Sequence, residues 1–242
     1  MLTHVVDVFK YKKFRHGVLY NTDIRKFLKN AEDASFDLIL TDPPYGLNKS
    51  TFDDGDIVFQ IEHDLYRVLK DDSFFVFYYS VKKLNNIAKF KYFKYLWQII
   101  ALFPSSFSKS SIGDRCYAPV LIFGKGKPKV QYRRQDVIPT AEIFSVKGAI
   151  NNQLFKPTFT TSVLLQMFHR GGVVLDPFAG FGSICFVCEQ LGIEWVGVEI
   201  DPVKFMKAVK FIESGDVGAV KDDSEEGQKE RKKEEKLSRW LR

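Results

Sequence analysis

The sequence predicts an α/β protein built on a doubly wound, mostly parallel sheet, and three observations carry that prediction. Short apolar runs of strand length, at residues 17–20, 36–40, 74–79, 173–176 and 194–199, alternate with stretches of helical spacing. Such alternation builds βαβ units and therefore parallel strands. Two of the runs end in loops of ligand-binding character, Asp42-Pro43-Pro44-Tyr45-Gly46 and Pro177-Phe178-Ala179-Gly180-Phe181-Gly182. Both sit where open α/β sheets hold ligands, beyond the C-terminal ends of strands.

Composition bounds the class. A chain of 242 residues with 45% apolar content can bury one core with a small extra subdomain. No uninterrupted apolar run is long enough to cross a bilayer, and Met1-Leu2-Thr3-His4 opens no signal sequence. A soluble cytoplasmic protein with no membrane partner is therefore expected. Cys116, Cys185 and Cys188 are too few and too oddly numbered for a disulfide framework. Cys185-Phe186-Val187-Cys188 has zinc or redox spacing, but it lies in a predicted helix without a second pair, so core packing is expected and no metal. The net charge of +6 is unevenly placed: residues 80–134 carry twelve Lys or Arg against the single acid Asp114, and the remainder is net acidic. With Tyr92, Phe93, Tyr95, Trp97 and Phe107 interleaved, this block suits a polyanion. The competing reading is a solvated helix face, since Lys82, Lys83, Lys89, Lys91 and Lys94 fall on a predicted helix.

The elements follow in order. Residues 1–15 are basic and aromatic without strong period, an arm or lead-in. A strand at 17–20 precedes a helix at 24–30, with Asp23 placed as its N-cap. The strand at 36–40 runs into the Asp-Pro-Pro-Tyr loop. There the prolines fix φ and lack N–H groups, leaving the carbonyls of Asp42 and Pro43 few local donors. A carboxylate, a rigid carbonyl pair and an aromatic ring together suit a planar group bearing an NH2, the ring contributing roughly 1–3 kcal/mol by stacking. Residues 46–56 read as a loop that closes over substrate, with Asp53, Asp54 and Asp56 as caps or solvated acids rather than a metal site. A helix at 57–69, a strand at 74–79 and a basic amphipathic helix at 81–95 come next. Strands at 96–103 and 119–123 flank a Ser-rich loop at 104–115. Residues 125–155 have little period, and their Arg133 and Arg134 are candidate base and phosphate contacts.

Lys156-Pro157 leads into a helix at 160–169, whose His169 reads as a C-terminal cation. The strand ending in Asp176 then enters the glycine loop and a helix at 184–191. Glycine lets backbone approach a ligand closely, and a helix N-terminus offers unpaired N–H groups. The next strand, Glu194-Trp195-Val196-Gly197-Val198-Glu199, ends in an acid of the kind that accepts ribose hydroxyls. Asp201 before Pro202 is the N-cap of the helix at 203–213, and Glu199 can also be read as a helix-start carboxylate. The tail from Lys221, with eight basic and seven acidic residues, is read as solvated helix or disorder, with Trp240 and Leu241 as a docking point.

Asp42-Pro43-Pro44-Tyr45 resembles motif IV of the S-adenosylmethionine-dependent amino-methyltransferases of adenine N6 and cytosine N4. Asp176-Pro177-Phe178-Ala179-Gly180-Phe181-Gly182 resembles their motif I, Glu199 the motif II acid and Lys156-Pro157 motif X. The order of these motifs, with the basic region between IV and X, is similar to the β group of DNA amino-methyltransferases across roughly residues 17–213. The resemblance departs from the usual pattern in a short recognition region and in Phe181 and Ser183.

The resemblance implies a seven-stranded methyltransferase sheet, circularly permuted, spanning a domain of residues 1–214 with a charged tail at 215–242. Its basic recognition insertion would occupy about 104–155. It further implies S-adenosylmethionine held by Asp23, Lys156, Pro157, Asp176, Phe178, Gly180, Gly182, Ser183 and Glu199, and a catalytic loop of Asp42, Pro43, Pro44 and Tyr45. The partner would be double-stranded DNA with one base flipped, adenine being favoured by Asp rather than Ser at position 42. A homodimer and a cognate restriction endonuclease are the other partners it brings to mind. Cytosine-N4 transfer, RNA amino-methylation and a non-catalytic DNA-binding role stand as the alternatives.

Overall fold

The computed structural model describes residues 9–46, 57–103, 108–109, 113–139 and 158–216. A hairpin of β1 (Lys10–Lys13) and β2 (Gly17–Asn21) is followed by α1 (Ile24–Asn30), β3 (Phe36–Thr41), α2 (Ile57–Gln60), α3 (Glu62–Val68) and β4 (Leu69–Tyr78). A 3-10 helix, Val81–Lys89, leads to β5 (Lys94–Leu102), the short β6 (Ser108–Lys109) and β7 (Asp114–Arg115), then β8 (Tyr117–Lys125) and β9 (Val137–Pro139). The chain continues with α4 (Thr158–Phe168), β10 (Val173–Asp176), α5 (Ser183–Leu191), β11 (Glu194–Glu199) and α6 (Pro202–Ser214).

The main sheet has the order β1-β2-β11-β10-β3-β4-β8-β5-β9. Strands β2, β11, β10, β3 and β4 are mutually parallel, and β8 runs antiparallel between β4 and β5. The sheet therefore has nine strands among the described residues rather than seven, because β1 and β9 extend its two edges. Both faces are covered. Leu38 and Leu40 pack with Leu164, Ile184 and Phe211 on one side, while Ile39 packs with Phe27 and Leu65 on the other. Consecutive residues of β3 thus enter opposite cores, which is why the strand reads as an unbroken apolar run. Cys185 and Cys188 are buried free thiols of the first core, the packing role expected of them.

The structure corrects several expectations. The helix expected at 57–69 breaks at Ile61 into α2 and α3, and Leu69 already belongs to β4. The helix expected at 81–95 is a 3-10 helix that stops at Lys89. The reason lies in Glu62, a buried carboxylate that accepts backbone N–H bonds from Lys91 (3.0 Å), Tyr92 (2.6 Å) and Phe93 (3.0 Å). Amides bound to a carboxylate cannot continue a helix, and the aromatic run beyond them pairs as β5. The Ser-rich loop carries the β6/β7 pair, and the arm supplies β1. The substrate-closing loop at 47–56 with its three acids, most of the recognition segment (104–107, 110–112 and 140–157) and the tail beyond 216 lie outside the described residues.

The sheet also divides the basic block. Lys82 and Lys83 follow the C-terminal end of β4, whereas Lys94 is level with Gly124 and Lys125 with Ser73, at the opposite end. One continuous polyanion face over 80–134 is therefore not what the strands build.

Removing Glu62 leaves buried amides without an acceptor, at about 1–3 kcal/mol each. Glu62→Ala is expected to cost at least about 2 kcal/mol in urea unfolding and Glu62→Gln clearly less.

Candidate active site

The chain crosses the sheet in two directions from one point. Strands β10 and β3 are neighbours; α5 carries β10 to β11 on one side, and α2 and α3 carry β3 to β4 on the other. Above such a switch point the crossovers diverge and leave a crevice. Asp176 ends β10, Glu199 ends β11 and Asp42 follows β3, so three acids stand on one edge.

Asp176 is buried and accepts from Thr41 Oγ1 at 2.6 Å and from the Phe178 N–H at 3.2 Å, both on Oδ1. Burial pushes its carboxyl up to about 7; the two donors oppose the rise, and the charges of Asp42 and Glu199 add to it. Glu199, also buried, accepts from the Gly180 N–H at 2.8 Å and the Asp201 N–H at 2.7 Å. Burial pushes it to about 7 as well, against those bonds and Lys204. Asn21 Nδ2 donates to the carbonyls of Glu199 and Ile200 at 2.9 and 3.2 Å and fixes the exit of β11.

The glycine loop is tied to β11 by Ala179 N–H to the Val198 carbonyl, 2.9 Å. Gly180 has φ 55° and Gly182 φ 82°, a region that disfavours side chains. A Cβ on Gly182 would lie 2.9 Å from Ile212 Cδ1, so that glycine lets α6 close on the loop. A Cβ on Gly180 would meet only the Phe178 carbonyl, at 3.9 Å, so its outer side is open to a ligand. Ser183 begins α5 and is buried, and Phe178 is half-buried beside the loop.

In the Asp-Pro-Pro-Tyr loop Pro43 is buried and Asp42, Pro44 and Tyr45 are half-buried. The Tyr45 hydroxyl donates to Asp42 Oδ1. Burial, reinforced by the Asp42 charge, raises the Tyr45 phenol well above its ordinary value, so it keeps its proton. Asp23 lies on the same edge, two residues past Asn21, which is level with Glu199. It caps α1 through the Arg25 N–H at 2.8 Å and pairs with Arg25 Nη2 at 2.9 Å. Burial raises its carboxyl, but Arg25 outweighs that and holds it below its ordinary value. Lys156 and Pro157 lie outside the described residues. His169 follows the last residue of α4, with its ring nitrogen on the Gly172 carbonyl at 3.0 Å.

Sequence reasoning overlooked Thr41 and Asn21. Thr41 could have been found as the one hydroxyl at the buried end of an apolar strand, next to the loop it serves. Asn21 closes β2 in the same way.

The edge offers buried carboxylates to hydroxyls and to a cation, open glycine backbone to a close-lying ligand, and a carboxylate with an aromatic ring to an amino group. With the doubly wound sheet, that arrangement suits methylation of an amino group. The comparisons agree. The sequence profile of the DNA methylase family, which spans the N6 and N4 enzymes, matches residues 36–210, and the chain belongs to that family. It is 29% identical over 217 residues to the type II methyltransferase M.HpaI of Haemophilus parainfluenzae, covering 73% of this chain and 68% of that one. The fold resembles the cytosine-N4-specific PvuII DNA methyltransferase, with TM-score 0.68 at 18% identity over 93% of this chain and 94% of that one. It also resembles M1.HpyAVI in its SAM complex, with TM-score 0.59 at 18% identity over 79% and 96% of the two chains.

The two raised acids give a stability prediction. Their carboxyls move from ordinary values of 3.8 and 4.5 to about 7, so between those limits the folded chain holds more protons than the unfolded chain. Stability contributed by these groups therefore falls as pH rises from about 4 to about 7. The Tm of the ligand-free protein is expected to drop between pH 5 and pH 8, and Asp176→Asn to flatten that drop, as measured by calorimetry.

Proposed function

We propose that the chain transfers a methyl group from S-adenosylmethionine to the exocyclic amino group of a base flipped out of double-stranded DNA, with adenine N6 as the target. The observation that carries this reading is the bond from Thr41 to Asp176. It seats the Asp-Pro-Pro-Tyr loop directly beside the glycine loop. The cofactor supplies a methyl group on a sulfonium centre. Asp176, Phe178, Gly180, Gly182 and Ser183 line its place, Glu199 accepts ribose hydroxyls, Asp23 stands towards the adenine end, and Lys156 and Pro157 contribute from the segment before α4. The raised, buried acids suit this ligand, because its positive charge favours their ionised form and the protons pass to solvent.

An exocyclic amine is a weak nucleophile because its lone pair is delocalised into the ring. Asp42 and the Pro43 carbonyl accept the two amino hydrogens and favour a more tetrahedral nitrogen, while Pro44 keeps the loop rigid. Tyr45 offers its ring for stacking, and its hydroxyl gives up Asp42 as the amino group arrives. Methyl transfer is then chiefly a matter of holding two groups in line, and no covalent cysteine intermediate is used. A base paired in the stack cannot be reached this way, hence the flipping. The Asp at position 42 supports adenine; cytosine N4 is the second reading, the fold being shared with a cytosine-N4-specific enzyme. The same reading puts the protein in the cytoplasm, as a modification enzyme that acts as a homodimer alongside a restriction endonuclease.

Asp42→Ala and Tyr45→Ala are expected to lose transfer to duplex DNA by at least about 10²-fold while keeping cofactor binding in calorimetry. Tyr45→Phe should retain most activity, because it keeps the ring. Unchanged turnover in Asp42→Ala would remove that residue from the chemistry.

A further inference from the structure

Within the Asp-Pro-Pro-Tyr loop Tyr45 is tied through its hydroxyl to Asp42, and its ring also leans on a residue outside the loop. Tyr45 is half-buried in a loop, and a ring that must meet a base face to face needs a fixed plane. The neighbour that supplies one is Tyr79, just past the end of β4. The two rings lie 6.1 Å apart at 80°. Tyr79 is 4% exposed and is itself held from two directions. Its backbone N–H donates to the Pro119 carbonyl of β8 at 2.9 Å. Its ring packs at 86° on Phe77, 5.6 Å away, and Phe77 stacks on Phe123 at 5.7 Å and 20°. A row of rings therefore runs from the buried core through Phe123, Phe77 and Tyr79 to Tyr45.

The register explains why this row reaches the loop. Thr41 is level with Phe77, so Tyr79 projects beyond the sheet by about as much as Pro43 does. Edge-to-face packing is directional, so a ring held this way has a preferred plane. The hydroxyl of Tyr45 is fastened at its other end to Asp42. When the amino group of a base takes over Asp42, that fastening is given up, while the edge-to-face contact with Tyr79 persists and constrains the plane of the Tyr45 ring.

We infer that Tyr79 is a positioning residue of this enzyme: it orients Tyr45 for stacking on the target base and touches neither base nor cofactor itself. The inference rests on the reading of Tyr45 as the stacking ring. The test compares Tyr79→Leu and Tyr79→Phe with Phe211→Leu, a substitution in the buried core of α6 that serves as a stability control. For each, kcat, the KM for DNA, the cofactor Kd and the Tm are measured. Tyr79→Leu is expected to lower kcat by up to about 10²-fold with the cofactor Kd unchanged. Tyr79→Phe, which keeps the ring, should restore kcat, and Phe211→Leu should lower Tm without lowering kcat. The inference is overturned if Tyr79→Leu turns over normally, if Tyr79→Phe is as impaired as Tyr79→Leu, or if Phe211→Leu loses kcat to the same extent. Failure of the underlying reading would look different, since Tyr45→Ala would then stay active whatever happens at Tyr79.

Discussion

The bond from Thr41 Oγ1 to Asp176 Oδ1 joins two parts of the chain 135 residues apart, and the site depends on it. Strands β3 and β10 share only two registered pairs, Leu38 with Val174 and Ile39 with Leu175. Beyond those pairs the strands run into loops, and a carboxylate at a strand end would be costly to bury without donors. Thr41 and the Phe178 N–H supply them. The loop that would receive a base is thereby set against the loop that would receive a cofactor. Burying two carboxyls at this end of the sheet is a cost the fold carries, and the raised values of Asp176 and Glu199 record it; at Asp176 the charges of Asp42 and Glu199 add to the effect of burial. Carboxyls displaced in this way cluster at functional sites.

From that bond the remaining parts take their places. Glu199 holds the glycine loop through the Gly180 N–H and the entry to α6 through Asp201, so one side chain shapes both walls of the crevice. On the other flank, β4 and β8 deliver Tyr79 to Tyr45. The antiparallel β8 between β4 and β5 matters here, because its Pro119 carbonyl is the acceptor that fixes the Tyr79 backbone. The parallel half of the sheet thus supplies the acids and the glycine loop, and the antiparallel half steadies the aromatic side.

Much of this was legible in the residues. Helix α1 with Asp23, helix α6 with Asp201 and Pro202, and strands β3, β10 and β11 follow from capping chemistry and apolar runs, all local signals. Membership of the DNA methylase family was legible in two loops, Asp42 to Gly46 and Asp176 to Gly182, because prolines and glycines at strand ends leave a strong mark. The 3-10 helix at Val81–Lys89 was not, since its end is set by Glu62, a residue 29 positions from the first amide it binds. The distribution of the basic block was hidden for a similar reason. Strand register separates Lys82 from Lys94, and register is a tertiary property. Thr41 and Tyr79 carry no motif of their own; each acquires its place only when neighbouring strands bring it against Asp176 or Tyr45.

The most direct test of the account is transfer of a labelled methyl group from S-adenosylmethionine to unmethylated duplex DNA, followed by nucleoside digestion and mass analysis. The account predicts label in DNA as N6-methyladenine. N4-methylcytosine would keep the site chemistry and reverse the choice of base, whereas absence of any label from DNA would contradict the assignment of the Asp-Pro-Pro-Tyr loop as an amino-methylating site for DNA.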